Sequence, residues 1–242
     1  MVVMTLGKSL RLRRVFANGR ALIVDCGPLA GDCLGKVRLL ARAGADAVVL
    51  TPGLLEVVAE ELAGLSVILP IDGGAGRAQQ LLSVQAALEI GAEAVLVGVE
   101  APGPGPSAVL ERFGRVAEDA RRLGLPVIAE VFGNGWLETA RLAAEFGADV
   151  ILARCVPEGA ADRHFVRVTG RPFLASLGEG LPSTPGLLDM VYDLMQGAAQ
   201  GVLLRDRALA EPPMLRAIHG LVHQGISAEQ ALEIAGAPEH AI

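Results

Sequence analysis

Four carboxylates in this chain close short apolar runs. Asp25 ends Ala21–Asp25, Asp72 ends Val67–Asp72, Glu100 ends Ala94–Glu100 and Glu130 ends Pro126–Glu130. Acids gathered at one place raise one another's pKa and suit proton transfer, or they hold a divalent cation. Other runs close on Thr51, Arg154, Ser176 and Arg205. Hydroxyl and guanidinium groups bind the polar and anionic parts of a substrate. Gly178 and Gly180 follow the seventh run, where backbone N–H groups beside Arg205 would receive a phosphate or another anion. Cys26, next to Asp25, joins this substrate-binding set. For each acid the alternative is solvent exposure or an ion pair with Arg154 or Arg205.

The elements that must position these residues repeat eight times. Gly19, Gly44, Gly64, Gly91, Gly124, Gly147, Gly170 and Gly201 each precede one apolar run by a few residues. Segments with helical spacing, such as Leu81, Leu82, Gln85, Ala86, Leu88 and Glu89, fill the intervals. A glycine that ends a helix, followed by a strand buried on both faces, predicts a closed (β/α)8 TIM barrel of the α/β class. Such a barrel keeps its chemistry at the C-terminal ends of its strands, which is where the residues above fall. At 242 residues the chain has the size of one barrel, so residues 1–242 read as a single domain. Ser227 and Gln230 form a capping box at the start of the last helix. Pro212 and Pro213 open the helix before it, which continues through Leu221 and Val222. Long connections rich in glycine and proline follow the fourth and seventh runs, at the end of the barrel expected to carry the chemistry.

Composition narrows the function. The chain is 52% hydrophobic with a net charge of −6, and its arginines are scattered, so no nucleic-acid partner is expected. No apolar run reaches the length of a membrane span, and no membrane partner is expected. The cysteines Cys26, Cys33 and Cys155 are odd in number and lack metal-ligand spacing, which suits a reducing cytoplasm. His219 and His223 lie four apart without the intervening Glu of a zinc helix, and read as surface or packing residues. No nucleotide-cofactor motif is present, and the only lysines are Lys8 and Lys36.

The chain resembles the DeoC/DhnA-type class I aldolases over nearly its full length. The resemblance rests on Gly7-Lys-Ser-Leu-Arg-Leu-Arg-Arg-Val-Phe16, on Gly19-Arg-Ala-Leu-Ile-Val-Asp-Cys-Gly27, and on Ala43-Gly-Ala-Asp-Ala-Val-Val-Leu50. Its most specific part is the ending, from Ala217-Ile-His-Gly-Leu-Val-His to Ala231-Leu-Glu-Ile234. It implies a barrel lyase that assembles as a homo-oligomer. It also implies a Schiff-base lysine on strand six, where this chain reads Gly147-Ala-Asp-Val-Ile-Leu152. A leucine cannot form an imine. The family's proton-transfer tyrosine on strand five corresponds to Phe132, and its strand-eight Gly-Arg phosphate signal to Leu204-Arg-Asp206. Asp25 matches the family's first-strand aspartate.

Three readings follow. The first is a divergent lyase acting on a small polyhydroxylated carbonyl compound, phosphorylated or not. It would use Glu130 as acid/base and Asp25 to orient a hydroxyl or accept a proton, with no certain cofactor. A divalent metal held by Asp25, Asp72 and Glu100 would take the place of the imine. The second is an inactive barrel that binds a ligand or an active, lysine-bearing paralogue. The third is a scaffold recruited to isomerisation or epimerisation between two carboxylates.

Overall fold

Eight parallel strands pair in chain order and close on themselves: β1 (Ala21–Asp25), β2 (Ala47–Val49), β3 (Ser66–Pro70), β4 (Ala94–Glu100), β5 (Val127–Phe132), β6 (Val150–Arg154), β7 (Phe173–Leu177) and β8 (Ala199–Leu204). The computed structural model describes residues 4–27, 33–73, 79–100, 108–133, 135–154, 163–178, 180–205 and 211–237. Closure is made by β8 against β1, with Ala21 opposite Gly201 and Val24 opposite Leu204. Gly201 is required there, because a Cβ would lie 2.1 Å from the Ala21 carbonyl oxygen.

The strands carry two cores because side chains alternate between their faces. Ile23, Val49, Ile68, Leu96, Ile128, Leu152, Leu174 and Leu203 fill the barrel interior. Leu22, Val24, Val48, Leu69, Val97, Ile151 and Leu204 face outward under the helices. The first helix, α1 (Leu6–Val15), closes the N-terminal end: Val15 is buried in the inner cluster, with Leu12 and Phe16 packed against it. Lys8 of α1 reaches Asp149, just before β6, at 2.6 Å, and Asp149 also accepts the Val127 N–H at 2.9 Å. α1 thus seals the interior at its N-terminal end.

Around the barrel lie α2 (Cys33–Arg42), α3 (Pro52–Val58), α4 (Val84–Glu89), α5 (Ala108–Leu123), α6 (Trp136–Phe146), α7 (Arg163–Thr169), α8 (Thr184–Gln196), α9 (Pro212–His219) and α10 (Ala228–Gly236). The Ser227 capping box is present, and Pro212 opens α9 as expected. The expected continuous run through Val222 is instead α9 followed by a π-helical turn over Gly220–Gln224. That turn brings His223 Nε2 to 2.9 Å from the Asp46 carboxylate, which also accepts the Leu22 N–H. His219 packs 4.7 Å from His223, ring to ring, and its Nδ1 donates to the Gly44 carbonyl. Both histidines thus fasten the C-terminal helices to the barrel floor.

Gly44 has φ +93°, and a Cβ there would lie 2.5 Å from His219 Nδ1. Gly44→Ala is expected to cost about 1–3 kcal/mol. The cost should show as a lower urea midpoint.

Candidate functional site

Two-residue steps along each strand from the inner cluster arrive at Asp25, Thr51, Asp72, Glu100, Glu130, Arg154, Ser176, Gly178 and Arg205. The structure joins three of these to the guanidinium of a fourth, Arg205. Arg205, immediately after β8, is fixed by its N–H to the Leu177 carbonyl at 2.7 Å. Its Nη1 donates to Asp25 Oδ2 at 3.0 Å and its Nη2 to Glu130 Oε1 at 2.7 Å. Its Nε donates to Ser176 Oγ at 3.2 Å. Residues from the ends of β1, β5, β7 and β8 therefore meet across the barrel mouth. The other Asp25 oxygen accepts the Gly27 N–H at 2.9 Å.

Glu130 differs in environment from a surface acid. Its side chain is 11% exposed, against 33% for Arg205. Burial pushes its carboxyl above the usual range, Arg205 offsets part of that rise, and the charges of Asp25 and Asp72 add to it. A carboxyl raised in this way beside a second carboxylate is a pair suited to acid and base roles.

Other expected members are placed differently. Cys26 has the opposite parity from Asp25 and lies in the outer core, not at the mouth. Burial, with Asp25 and Cys33 nearby, pushes its thiol up to about 12, so it is not a reactive thiolate.

Asp72 is not free to bind a metal. Arg112 of α5 donates to its Oδ2 at 2.8 Å, and so does the Gly98 N–H at 2.8 Å. Arg112 and Asp72 side chains are each 3% exposed, so this is a buried ion pair. Glu100 is exposed, with its side chain over Gly133. No group of three or more His, Cys, Asp or Glu suited to a metal is found among the described residues. The expected cation site of Asp25, Asp72 and Glu100 is corrected accordingly: an arginine neutralises Asp72, and another neutralises Asp25.

Thr51 is exposed at the start of α3, and its hydroxyl makes no capping bond there. Gly178 passes close to Arg205, its Cβ position 3.5 Å from the arginine's Cβ. Gly180 is exposed, with φ +76°. Arg154 ends β6, and its side chain lies outside the described residues, as do Cys155 and Asp206.

Neither lysine is at the mouth. Lys8 pairs with Asp149 at the sealed end, and Lys36 is exposed on α2. Leu152 is fully buried within the inner cluster, in register with Glu130 on the neighbouring strand. A cavity of about 830 Å3 also opens at the sealed end. Among its lining groups, Lys8 is committed to Asp149 and Arg171 donates to the Ala144 carbonyl.

Arg112 is the residue that the strand-end reading misses. It shares the buried face of α5 with Val116 and Ala120, and an arginine four and eight residues before core positions was its available signal. Its Nη2 also donates to the Gly98 carbonyl at 2.8 Å, so it and Asp72 hold both polar groups of Gly98, the residue in register with Glu130.

Known proteins agree with this architecture. The DeoC/LacD family of aldolases matches residues 29–206. A 2-amino-3,7-dideoxy-D-threo-hept-6-ulosonate synthase of Halobacterium salinarum is 29% identical, over 95% of this chain and 97% of that protein. One from Archaeoglobus fulgidus is 26% identical over 96% of each. Among solved structures, an archaeal fructose-1,6-bisphosphate aldolase has a TM-score of 0.73 at 23% identity, over 90% of this chain and 100% of that one. The fructose-bisphosphate aldolase of Slackia heliotrinireducens has a TM-score of 0.76 at 15% identity, over 98% of this chain and 92% of that one. These two share the barrel fold with this chain. With the family match spanning most of its length, this chain belongs to the DeoC/LacD family of aldolases.

Proposed function

We propose that this protein is an aldolase-type carbon–carbon lyase that works without a Schiff-base lysine. The observation that carries the reading is the convergence of Asp25, Glu130 and Ser176 on Arg205 at the open end of the barrel. The placement of both lysines away from that end supports the absence of an imine. In the cleavage direction Asp25 accepts the proton of the substrate hydroxyl, whose oxygen becomes a carbonyl as the carbon–carbon bond breaks. The released electron pair moves to the substrate's own carbonyl, whose oxygen takes the proton of Glu130 to give an enol. Arg205 stabilises the negative charge that develops on that oxygen.

The named relatives, a heptulosonate synthase and fructose-bisphosphate aldolases, support a small polyhydroxylated carbonyl compound as substrate. A second reading is an inactive barrel that binds a ligand or a homologous partner. It is favoured by Leu152, fully buried beside Glu130.

The test is a panel of sugar phosphates, keto acids and aldehydes, read by thermal shift and then by carbonyl release. Ligand binding to the folded state raises the midpoint by mass action. Cleavage that continues after borohydride treatment in the presence of substrate is the expected result. A borohydride-trapped adduct on Lys8 or Lys36 would refute the imine-free chemistry. Binding without turnover would favour the inactive barrel.

A further inference from the structure

We propose that an anionic group of the ligand, a phosphate or a carboxylate, shares Arg205 with Glu130, so that its binding is coupled to the uptake of one proton by Glu130. The proposal rests on the assignment of Glu130 as the acid, but it concerns how that acid is loaded.

The argument begins with the guanidinium. Its five N–H groups include one given to Ser176, one to Asp25 and one to Glu130, which leaves two without a partner among the described residues. Arg205 is also the more exposed partner, 33% against 11% for Glu130 and 17% for Asp25. An anion entering from the mouth therefore meets Arg205 before either carboxylate.

Its arrival would place three negative groups around one positive charge in a half-buried site. The charged groups facing Glu130 are Arg205 from the end of β8, Asp25 from β1 and Asp72 from beyond β3. Arg112 stands behind Asp72 and already compensates it. In register with Glu130 on the adjoining β4 and β6 are Gly98 and Leu152, with exposed Glu100 one inward step further on β4 and Arg154, its side chain outside the described residues, one step further on β6. No further cation is at hand among these described neighbours. The least costly relief is to neutralise the more buried of the two carboxylates on Arg205, which is Glu130. A proton from solvent joins its carboxylate, the Arg205–Glu130 attraction weakens, and Arg205 turns its charge to the ligand. The same event gives Glu130 the proton that the cleavage step requires.

The test needs no substrate. Sulfate, which does not titrate near neutrality, stands for a phosphoryl group, and acetate stands for a carboxylate. Each is titrated calorimetrically into the protein in buffers of different ionisation enthalpy. The expected result is uptake of about one proton per bound anion, and an affinity that falls by up to about tenfold per pH unit above the Glu130 titration. Whichever probe binds with uptake names the class of group.

Glu130→Gln should bind the probe without proton uptake and without that pH dependence. Asp25→Asn should keep the uptake, and Arg205→Met should not bind. An infrared difference spectrum of the wild-type protein should gain a protonated-carboxyl band on adding the probe, which tests the idea even if a variant misfolds. Binding with no proton exchange, uptake that survives in Glu130→Gln, or no binding of either probe would each overturn the proposal. Proton uptake in a protein that cleaves nothing would remove the lyase reading and leave the coupling standing.

Discussion

Glu130→Gln is expected to lower turnover by about 10²–10⁴-fold, the usual worth of a positioned acid or base, while the protein stays folded. Glutamine keeps the shape of the side chain and an oxygen for Arg205 Nη2, but it has no proton to give. The stability effect has the opposite sign from the activity effect. Burial raises the Glu130 pKa above its ordinary 4.5, more than Arg205 lowers it. The folded state thus holds this proton more tightly than the unfolded chain, and the ionised carboxylate costs stability at high pH. In the wild-type protein that cost is relieved as pH falls from the raised value toward 4.5.

The variant lacks this dependence. Its midpoint should equal or exceed that of the wild type at neutral and alkaline pH, and the gap should close as pH falls through that window. Thermal midpoints measured across a pH series check the sign, and steady-state kinetics with a substrate from the panel check the loss. A fully active variant would take Glu130 out of the mechanism.

Lys8→Met is expected to destabilise the barrel by about 3–5 kcal/mol, the cost of stripping one partner from a buried ion pair. Lys8 and Asp149 are 6% and 7% exposed and 2.6 Å apart. Without the ammonium, Asp149 keeps the Val127 N–H but remains a buried, uncompensated charge. The double change Lys8→Met with Asp149→Asn should recover most of the loss, since it removes the orphaned charge as well. Denaturant midpoints of the two variants decide this. Activity per folded molecule should survive Lys8→Met, because the pair lies at the sealed end of the barrel, away from Arg205. Abolished turnover in a fully folded Lys8→Met variant would contradict the imine-free reading.

Much of this protein was legible in its sequence because strand and helix signals are local. The apolar run Ala21–Asp25 is β1, and Ala94–Glu100 is β4, residue for residue. The Ser227 capping box involves residues three apart, and it forms where expected. Period-two alternation, which the reading of run endings leaves unused, places Glu130, Ser176 and Arg205 on the inward side of their strands. The same rule, applied one residue later, would have turned Cys26 outward, where it is found.

The pairing of those inward residues was not legible. Arg205 is 180 positions from Asp25 and 75 from Glu130, and no spacing rule reaches that far. Only closure of β8 against β1 brings the guanidinium to Asp25, so the arginine read as an anion contact also carries the chain's own carboxylates. Only the seating of α5 on the barrel delivers Arg112 to Asp72, which withdraws that acid from metal binding. By itself the sequence determined the run of strands and the barrel, because backbone geometry and burial act over a few residues. Tertiary structure decided which charges neutralise one another, because that depends on through-space distances that closure of the sheet alone sets.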